Sequence, residues 1–307
     1  MGVKVTIGLC IKHSGTRVET ALQSISQQNY SHQDLSLVIV DEDEPNGIPE
    51  NINRFAKETD IKTAIIQVQN RGLGASRQIA IENAEGNYIV WVDDDFVLKE
   101  DFVSKHVEFM EQNPKIAAAI AKETPIKTTF LSLFEYYLVY LGNLHPEVTP
   151  LGGFEIFRLK AVKQVGGFDP EIKGASEDQD LVIRLKKAGW TVSANPSAKY
   201  YRKFRPETWK AVWCKNLWYG YGRHFVYHKH KDQTARWELF FPLGFWTGLK
   251  SALALYKVLP EKTVFLLAPF CFFMNAAGFV GFFRADLEGY GHKQKTNKTA
   301  RSMPLAF

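Results

Sequence analysis

Tyr88-Ile89-Val90-Trp91-Val92-Asp93-Asp94-Asp95 is a short apolar run that ends in three consecutive carboxylates. The run is too short for a stable helix and rich in β-formers, so it reads as a buried strand. Three adjacent carboxylates repel one another unless a cation or a charged ligand offsets them. Hard oxygen donors of this kind suit Mg2+ or Mn2+, usually shared with substrate phosphates. In open α/β sheets ligands lie beyond the carboxyl ends of the strands, where Asp93, Asp94 and Asp95 would stand. The competing reading is an acidic turn on the surface.

Around this strand, the first two-thirds of the chain alternates strand and helix patterns. Val3, Val5, Ile7, Leu9 and Ile11 alternate with small or polar residues and predict a first strand. Thr16-Arg-Val-Glu19 reads as a capping box, followed by Val18, Ala21, Leu22 and Ile25 on one helical face. Leu35 to Val40 is a second strand, ending in Asp41-Glu42-Asp43. A weak helix follows near Glu50 to Lys57, then a strand over Thr63 to Val68 and a helix opened by Gly72 and Gly74. Phe130 to Leu144 has helical length and is apolar and aromatic, either a core helix or the wall of an acceptor pocket. Ser176-Glu-Asp-Gln179 is a second capping box, leading a helix that ends near Gly189. Strand and helix in regular turn imply an α/β fold, a mostly parallel sheet flanked by helices.

The remainder differs in kind. Leu239 to Leu249 is apolar but for Thr247, Lys250 and Lys257 interrupt the stretch continuing to Leu259, and Thr263 to Phe283 carries no charge. The last of these is long enough to cross a bilayer. The pattern predicts a helical hairpin over about residues 239–283, either spanning the membrane, lying in its interface, or buried as a core hairpin. Lys293, Lys295, Lys298 and Arg301 form a basic tail, which places that side in the cytoplasm by the positive-inside rule. Trp209, Trp213, Trp218, Tyr219 and Tyr221 precede the hairpin and suit a membrane interface, sugar stacking or a core. Residues 1–205 and 206–307 are therefore the expected domains.

Composition sets bounds on these readings. The chain has 307 residues, 45% of them hydrophobic, enough for a sizeable core. Its net charge of +5 is modest, and the basic residues cluster beside the apolar hairpin rather than on a nucleic-acid motif. Cys10, Cys214 and Cys271 match no metal spacing and fit reduced thiols in the cytoplasm. Met1 leads almost at once into a strand pattern, so no secretion signal is expected.

Five segments together resemble the family 2 glycosyltransferases, which have the GT-A fold, a Rossmann-like nucleotide-diphospho-sugar fold. They are Leu35-Ser-Leu-Val-Ile-Val-Asp41, Asn70-Arg-Gly-Leu-Gly74 with Arg77, Gly86 to Asp95, Val165-Gly-Gly-Phe-Asp169, and Glu177-Asp-Gln-Asp-Leu181 leading to Arg184 and Gly189-Trp190. They span roughly residues 3 to 195, in the family's order. The resemblance implies metal-dependent transfer of a sugar from a UDP-, GDP- or dTDP-linked donor to an acceptor hydroxyl, with inversion. The metal would be Mg2+ or Mn2+, held by Asp95 and Asp93, with Asp93 reaching the ribose or metal-bound water. Asp94 either adds to the donor site or points inward. Asp178, with Glu177 beside it, matches the family's base. Asp41 and Glu42 match acceptors of a hydrogen bond from the nucleobase. Arg71, Gly72 and Arg77 sit where the family's loop and helix approach the nucleotide.

Three departures qualify the match, the first being Cys10-Ile-Lys-His13 where family members often carry Pro-Thr-Tyr-Asn after the first strand. Tyr200-Tyr-Arg-Lys-Phe-Arg205 contains no His, so Arg202 or Arg205 takes over positive charge toward the diphosphate. Trp218-Tyr-Gly-Tyr-Gly-Arg223 replaces the Gln-x-x-Arg-Trp pattern of processive synthases, which implies one sugar per encounter. The hairpin adds a membrane partner at the cytoplasmic face of the cell membrane and a lipid-linked or glycan acceptor, as in cell-envelope glycan biosynthesis. The alternatives are a nucleotidyltransferase, which should carry a Gly-rich phosphate loop after the first strand where Cys10 to Thr16 stands, and a non-catalytic membrane-anchored nucleotide-sugar binding module.

Overall fold

The computed structural model describes residues 2–12, 15–42, 47–69, 71–126, 129–144, 153–204, 206–231 and 242–291. Two compact units emerge. The first comprises residues 1–126, 142–173 and 177–205, and the second residues 127–141, 174–176 and 206–307. Residues 127–141 and 174–176 thus group with the C-terminal stretch.

The first unit is built on an eight-stranded sheet. Its strands are β1 (Val5–Ile11), β2 (Leu35–Asp41), β3 (Lys62–Gln67), β4 (Tyr88–Trp91), β5 (Phe96–Leu98), β6 (Ile116–Glu123), β7 (Ile156–Arg158) and β8 (Thr191–Arg202). Their order is β3-β2-β1-β4-β7-β6-β8-β5. Helices α1 (Val18–Ser26), α2 (Glu50–Glu58), α3 (Leu73–Glu82), α4 (Phe102–Gln112), α6 (Leu159–Gln164) and α7 (Glu177–Lys187) flank it. The α/β expectation holds, with a mixed sheet: β3, β2, β1 and β4 run parallel, whereas β7 is antiparallel to both β4 and β6. Strand β8 is parallel to β6 and antiparallel to β5. β1, β2 and β4 are mostly apolar and buried because both faces of the sheet are covered. One core cluster gathers Ile7, Leu9, Leu22, Leu37 and Phe102, and another gathers Val38, Val40, Trp91, Phe157 and Leu181.

Both capping boxes fail as read. Helix α1 begins at Val18 with Arg17 in helical geometry and no side-chain cap, and Glu19 N–H bonds the Thr16 carbonyl instead. Ser176 has φ 77°, in the left-handed region, rather than the extended geometry of an N-cap. A short strand, β5, was also missed, since three residues between a turn and a helix give no periodicity to read.

The second unit is helical. α5 (Phe130–Leu144) matches its predicted bounds. α8 (Trp209–Lys229) is one 21-residue helix, capped by the Thr208 hydroxyl, which accepts from Ala211 N–H at 3.1 Å. α9 (Leu243–Tyr256) and α10 (Leu267–Leu287) complete it, joined by a 3-10 turn over Lys262–Leu266. Leu131, Phe134 and Tyr137 of α5 pack with Val212, Leu255, Leu267 and Phe270, so α5 is a core helix of this unit. The predicted hairpin is a helix pair with unequal arms. α9 has 14 residues, about 21 Å at 1.5 Å per residue, too short to cross a bilayer core of about 30 Å. Residues 239–241 and the basic tail after 291 lie outside the described residues. Among those described, one segment, Lys262–Leu287, is long and apolar enough to cross, with mean hydropathy 1.9 and one-third of its apolar window buried.

Candidate active site

Strand pairing creates the centre of the site. Asp93, Asp94 and Asp95 form the turn between β4 and β5, closed by Phe96 N–H on the Asp93 carbonyl at 3.1 Å. β5 pairs antiparallel with β8 so that Phe96 lies opposite Arg202. That register lays the Arg202 guanidinium over the Phe96 ring at 4.3 Å, beside the turn. Arg202 donates to Asp95 at 3.0 and 3.2 Å and to Asp93 at 3.3 Å, and lies 3.7 Å from Glu123. Burial raises the Asp95 pKa, as do Asp93 and Asp94, while Arg202 lowers it; the net direction is up.

A second arginine carries the line onward. Arg77 on α3 donates to Glu177 at 2.7 Å and lies 3.6 Å from Asp93. Its guanidinium packs against the Trp91 and Phe168 rings at 5.2 and 5.8 Å. Burial opposes its charge, and Glu177, Asp93 and Asp178 more than offset that, so its pKa rises. Burial pushes Glu177 up to about 7, against the pull of Arg77 and with the push of Asp178. Asp178, next in α7, accepts from Gly153 N–H at 2.5 Å and Gln179 N–H at 2.8 Å. An unbroken run of contacts therefore joins Asp95, Arg202, Asp93, Arg77 and Glu177, with Asp178 at its end. Carboxylates more than 80 residues apart in sequence are thus linked through two arginines.

The other predicted residues fall around this line. Asp41 and Glu42 are buried at the end of β2; Asp41 accepts from Gln67 at 3.5 Å and Glu42 from the Ser76 hydroxyl at 2.6 Å. The Cys10 thiol at the end of β1, pushed up to about 12 chiefly by burial, feels Arg77, Glu42, Asp93 and Glu177. Gly72 has φ 90°, and a Cβ there would fall 2.9 Å from the Lys173 Cα, so its glycine character is required by local packing. Arg71 is exposed, Asp94 is half-buried, and Arg205 lies outside the described residues.

Three residues of the site carried no sequence signal. Glu123 ends β6 near Arg202. Glu155 is buried, accepts from Ala121 N–H at 2.6 Å, and is pushed by burial up to about 8. Ser76 orients Glu42. Glu123 and Glu155 reach the site through the order of β7, β6 and β8 in the sheet, and Ser76 through the packing of α3 against β2.

The donor set fits a divalent cation. Asp93, Asp94 and Asp95 offer only hard oxygens, and Arg202 already stands among Asp93, Asp95 and Glu123 as a positive group would.

Comparisons with known proteins come to the same architecture. A family model described as "Glycosyl transferase family 2" matches residues 6–162, and one described as "Glycosyl transferase family group 2" matches residues 88–283. The chain is 24% identical over 227 residues to a poly-beta-1,6-N-acetyl-D-glucosamine synthase of Staphylococcus epidermidis, covering 71% of this chain and 53% of that protein. It is 21% identical over 182 residues to the poly(ribitol-phosphate) beta-N-acetylglucosaminyltransferase TarS of Staphylococcus aureus, covering 59% of this chain and 32% of that one. The chain thus spans about half the length, or less, of these two relatives. Among solved structures, a mannosyltransferase from Pyrobaculum calidifontis, in complex with GDP-Man and Mn2+, superposes with a TM-score of 0.70 at 16% identity. The match covers 93% of this chain and 87% of that one, and at this identity it speaks for the fold alone. With the family match extending over more than half of its residues, the chain belongs to glycosyl transferase family 2.

Proposed function

We propose that the chain is an inverting, metal-dependent hexosyltransferase that moves one sugar per encounter from a nucleotide-diphospho-sugar donor to a hydroxyl of a glycan or lipid-linked glycan precursor. The observation that carries this reading is the run Asp95–Arg202–Asp93–Arg77–Glu177 with Asp178 at its end. It provides alternating acid and guanidinium groups for a cation, a diphosphate and a proton.

In this reading Asp178 removes the proton of the acceptor hydroxyl as that oxygen attacks the anomeric carbon. The bond to the diphosphate breaks on the opposite face and the leaving group keeps its electron pair. The Gly153 and Gln179 N–H groups fix the Asp178 carboxylate in one orientation for this task. A bound divalent ion, held by Asp95 and Asp93, supplies charge neutralisation for the departing diphosphate. Arg202 and Arg77 add positive charge beside it, and Glu177 positions Arg77. Asp41 and Glu42 receive the nucleobase, with Ser76 orienting Glu42.

The membrane part of the proposal rests on the second unit. Trp246, Leu253, Phe279, Phe283 and Leu287 are large, apolar and exposed on α9 and α10. An apolar face of this size on a helix pair suits the cytoplasmic membrane surface, with the shorter helix lying in the interface. The relatives' names, a poly-beta-1,6-N-acetyl-D-glucosamine synthase and a poly(ribitol-phosphate) beta-N-acetylglucosaminyltransferase, support a glycan acceptor of the kind found in cell envelopes.

The test is a panel of UDP-, GDP- and dTDP-sugars with Mn2+ or Mg2+. One donor should raise the unfolding temperature in a metal-dependent way, and the transferred sugar should carry the anomeric configuration opposite to the donor's. Product with retained configuration, or transfer undiminished by chelator, would refute the mechanism.

A further inference from the structure

We propose that His224, His228 and Asp286 form a second metal site, selective for a transition-metal ion of the Zn2+ class, that clamps α8 to α10. His224 and His228 lie one turn apart on α8 and project from one face, with ring centroids 4.3 Å apart. Asp286 comes from the last turn of α10, and its Oδ1 is 3.2 Å from His224 Nε2. The three ligating atoms lie within 4.8 Å of one another. Ligands bound tetrahedrally to Zn2+ at about 2.0–2.1 Å stand about 3.3 Å apart. The His224–Asp286 pair already has that spacing, and His228 needs only a side-chain adjustment to reach it.

The scaffold beneath is rigid. A Cβ on Gly220 would fall 1.9 Å from the Gly278 carbonyl oxygen, and one on Gly281 would fall 2.0 Å from that of Leu217. α8 and α10 therefore touch through backbone, which holds the imidazoles against the carboxylate on helices rather than loops. His224 is fully buried, His228 half-buried and Asp286 exposed, so an ion has an entry path and a solvent-side fourth position. Phe282 sits edge-on to His224 at 4.6 Å, and Tyr227 packs against Phe282 and His228. This apolar wall strengthens coordination by excluding water on that side.

The donor set separates this site from the acidic turn. Two imidazoles and one carboxylate favour Zn2+, whereas an all-carboxylate set favours Mg2+ or Mn2+. An ion bound between His224 and Asp286 takes the place of their hydrogen bond, and any proton on the ligating nitrogen is released to solvent. A His224–Asp286 hydrogen bond alone does not require a second imidazole one turn on.

The full chain, without a histidine tag, is stripped with chelator and dialysed against Zn2+ or Co2+. Wild type and Asp95→Ala should each take up Zn2+ at this site, with Co2+ giving the visible bands of a four-coordinate site. Zn2+ should raise the unfolding temperature of both. His228→Ala and Asp286→Asn should lower the Zn2+ affinity at least about tenfold and lose the Co2+ bands. Asp286 is exposed, so Asp286→Asn keeps the experiment decisive should His228→Ala fail to fold. Equal Zn2+ affinity in wild type and Asp286→Asn, or Co2+ bands lost in Asp95→Ala instead, would overturn the proposal.

Discussion

Replacing Arg77 by Met removes one guanidinium while keeping much of its apolar volume. In the native protein that group donates to Glu177 at 2.7 Å, and the Glu177 side chain is only 3% exposed. Glu177 rises from its ordinary 4.5 to about 7. Its sign follows from linkage: between those values the native state binds more protons than the unfolded one, so stability falls as pH rises, by about 1.4 kcal/mol per unit for this group. In wild type the fall ends near pH 7. Without Arg77 the acid has lost its counter-charge, its pKa climbs further, and the fall continues. At pH 8 the variant forgoes the ionisation that stabilises wild-type native Glu177 over its protonated form, on the order of 1 kcal/mol. Loss of the buried hydrogen bond and of the contacts with Trp91 and Phe168 adds a pH-independent part, giving about 3 kcal/mol in all. Urea unfolding of wild type, Arg77→Met and Arg77→Met/Glu177→Gln at pH 5.5 and pH 8, in metal-free buffer, measures these quantities. The single variant should lose more stability at pH 8 than at pH 5.5, and the added Glu177→Gln should abolish that difference. An equal loss at both pH values would show that Glu177 is not a buried acid held ionised by Arg77.

Asp178→Asn should reduce transfer at least about 100-fold while leaving donor affinity within about twofold, measured by product formation and by donor titration; retained turnover would remove Asp178 as the base. Asp95→Ala should weaken donor binding in Mn2+ but not in chelator, and a donor affinity equal to wild type in Mn2+ would remove Asp95 as a ligand. Gly222→Ala should cost about 1–3 kcal/mol in thermal or urea unfolding, because its Cβ would lie 1.9 Å from the Ala175 carbonyl oxygen. Trp246→Ser with Leu253→Ser and Phe283→Ser should shift the chain from anionic vesicles to the supernatant with little change in unfolding temperature, since all three are exposed. Substitution is the better test than truncating the chain, because Leu255, Leu267 and Phe270 form one core with α5 and α8.

The legible parts of this molecule are those set by local pattern. β1, β2 and β4 announce themselves as apolar runs, and α5 as a 15-residue apolar stretch. The acids of the cleft were visible because they end such elements or begin them. Arg77 and Arg202 were visible too, but not which acids they pair with, nor the further acids Glu123 and Glu155. Glu123 and Glu155 reach the site through the β7-β6-β8 part of the sheet, where strand order departs from chain order. The contact of Arg202 with Asp95 depends on the β5–β8 register, and β5 has three residues. In the C-terminal stretch, Trp209 and Trp213 were read for their rings, which pack on Phe273. The governing residues there are Gly220, Gly278 and Gly281, whose meaning appears only when a second helix lies against them. Helix-interior glycine is locally unfavourable by about 1 kcal/mol, so its presence points to packing that sequence periodicity cannot express.

The charge balance of the cleft is the strongest physical reason to regard it as a binding site rather than a structural ion-pair network. Asp93, Asp95, Glu123, Glu177 and Asp178 face Arg77 and Arg202. Among the described residues, Arg202 lies near three acids and Arg77 near two. A structural network gains by matching charge, because an uncompensated buried ion is costly to retain. Here burial raises both Asp95 and Glu177 despite their guanidinium partners, so their ionised forms are costly in the free protein. Under the proposed function, a divalent ion near Asp93 and Asp95 would offset these carboxylates, and the diphosphate of a donor would find the two arginines beside it. Each ligand corrects an imbalance that the other would worsen alone, which makes ordered binding of cation with nucleotide sugar the natural consequence of this arrangement.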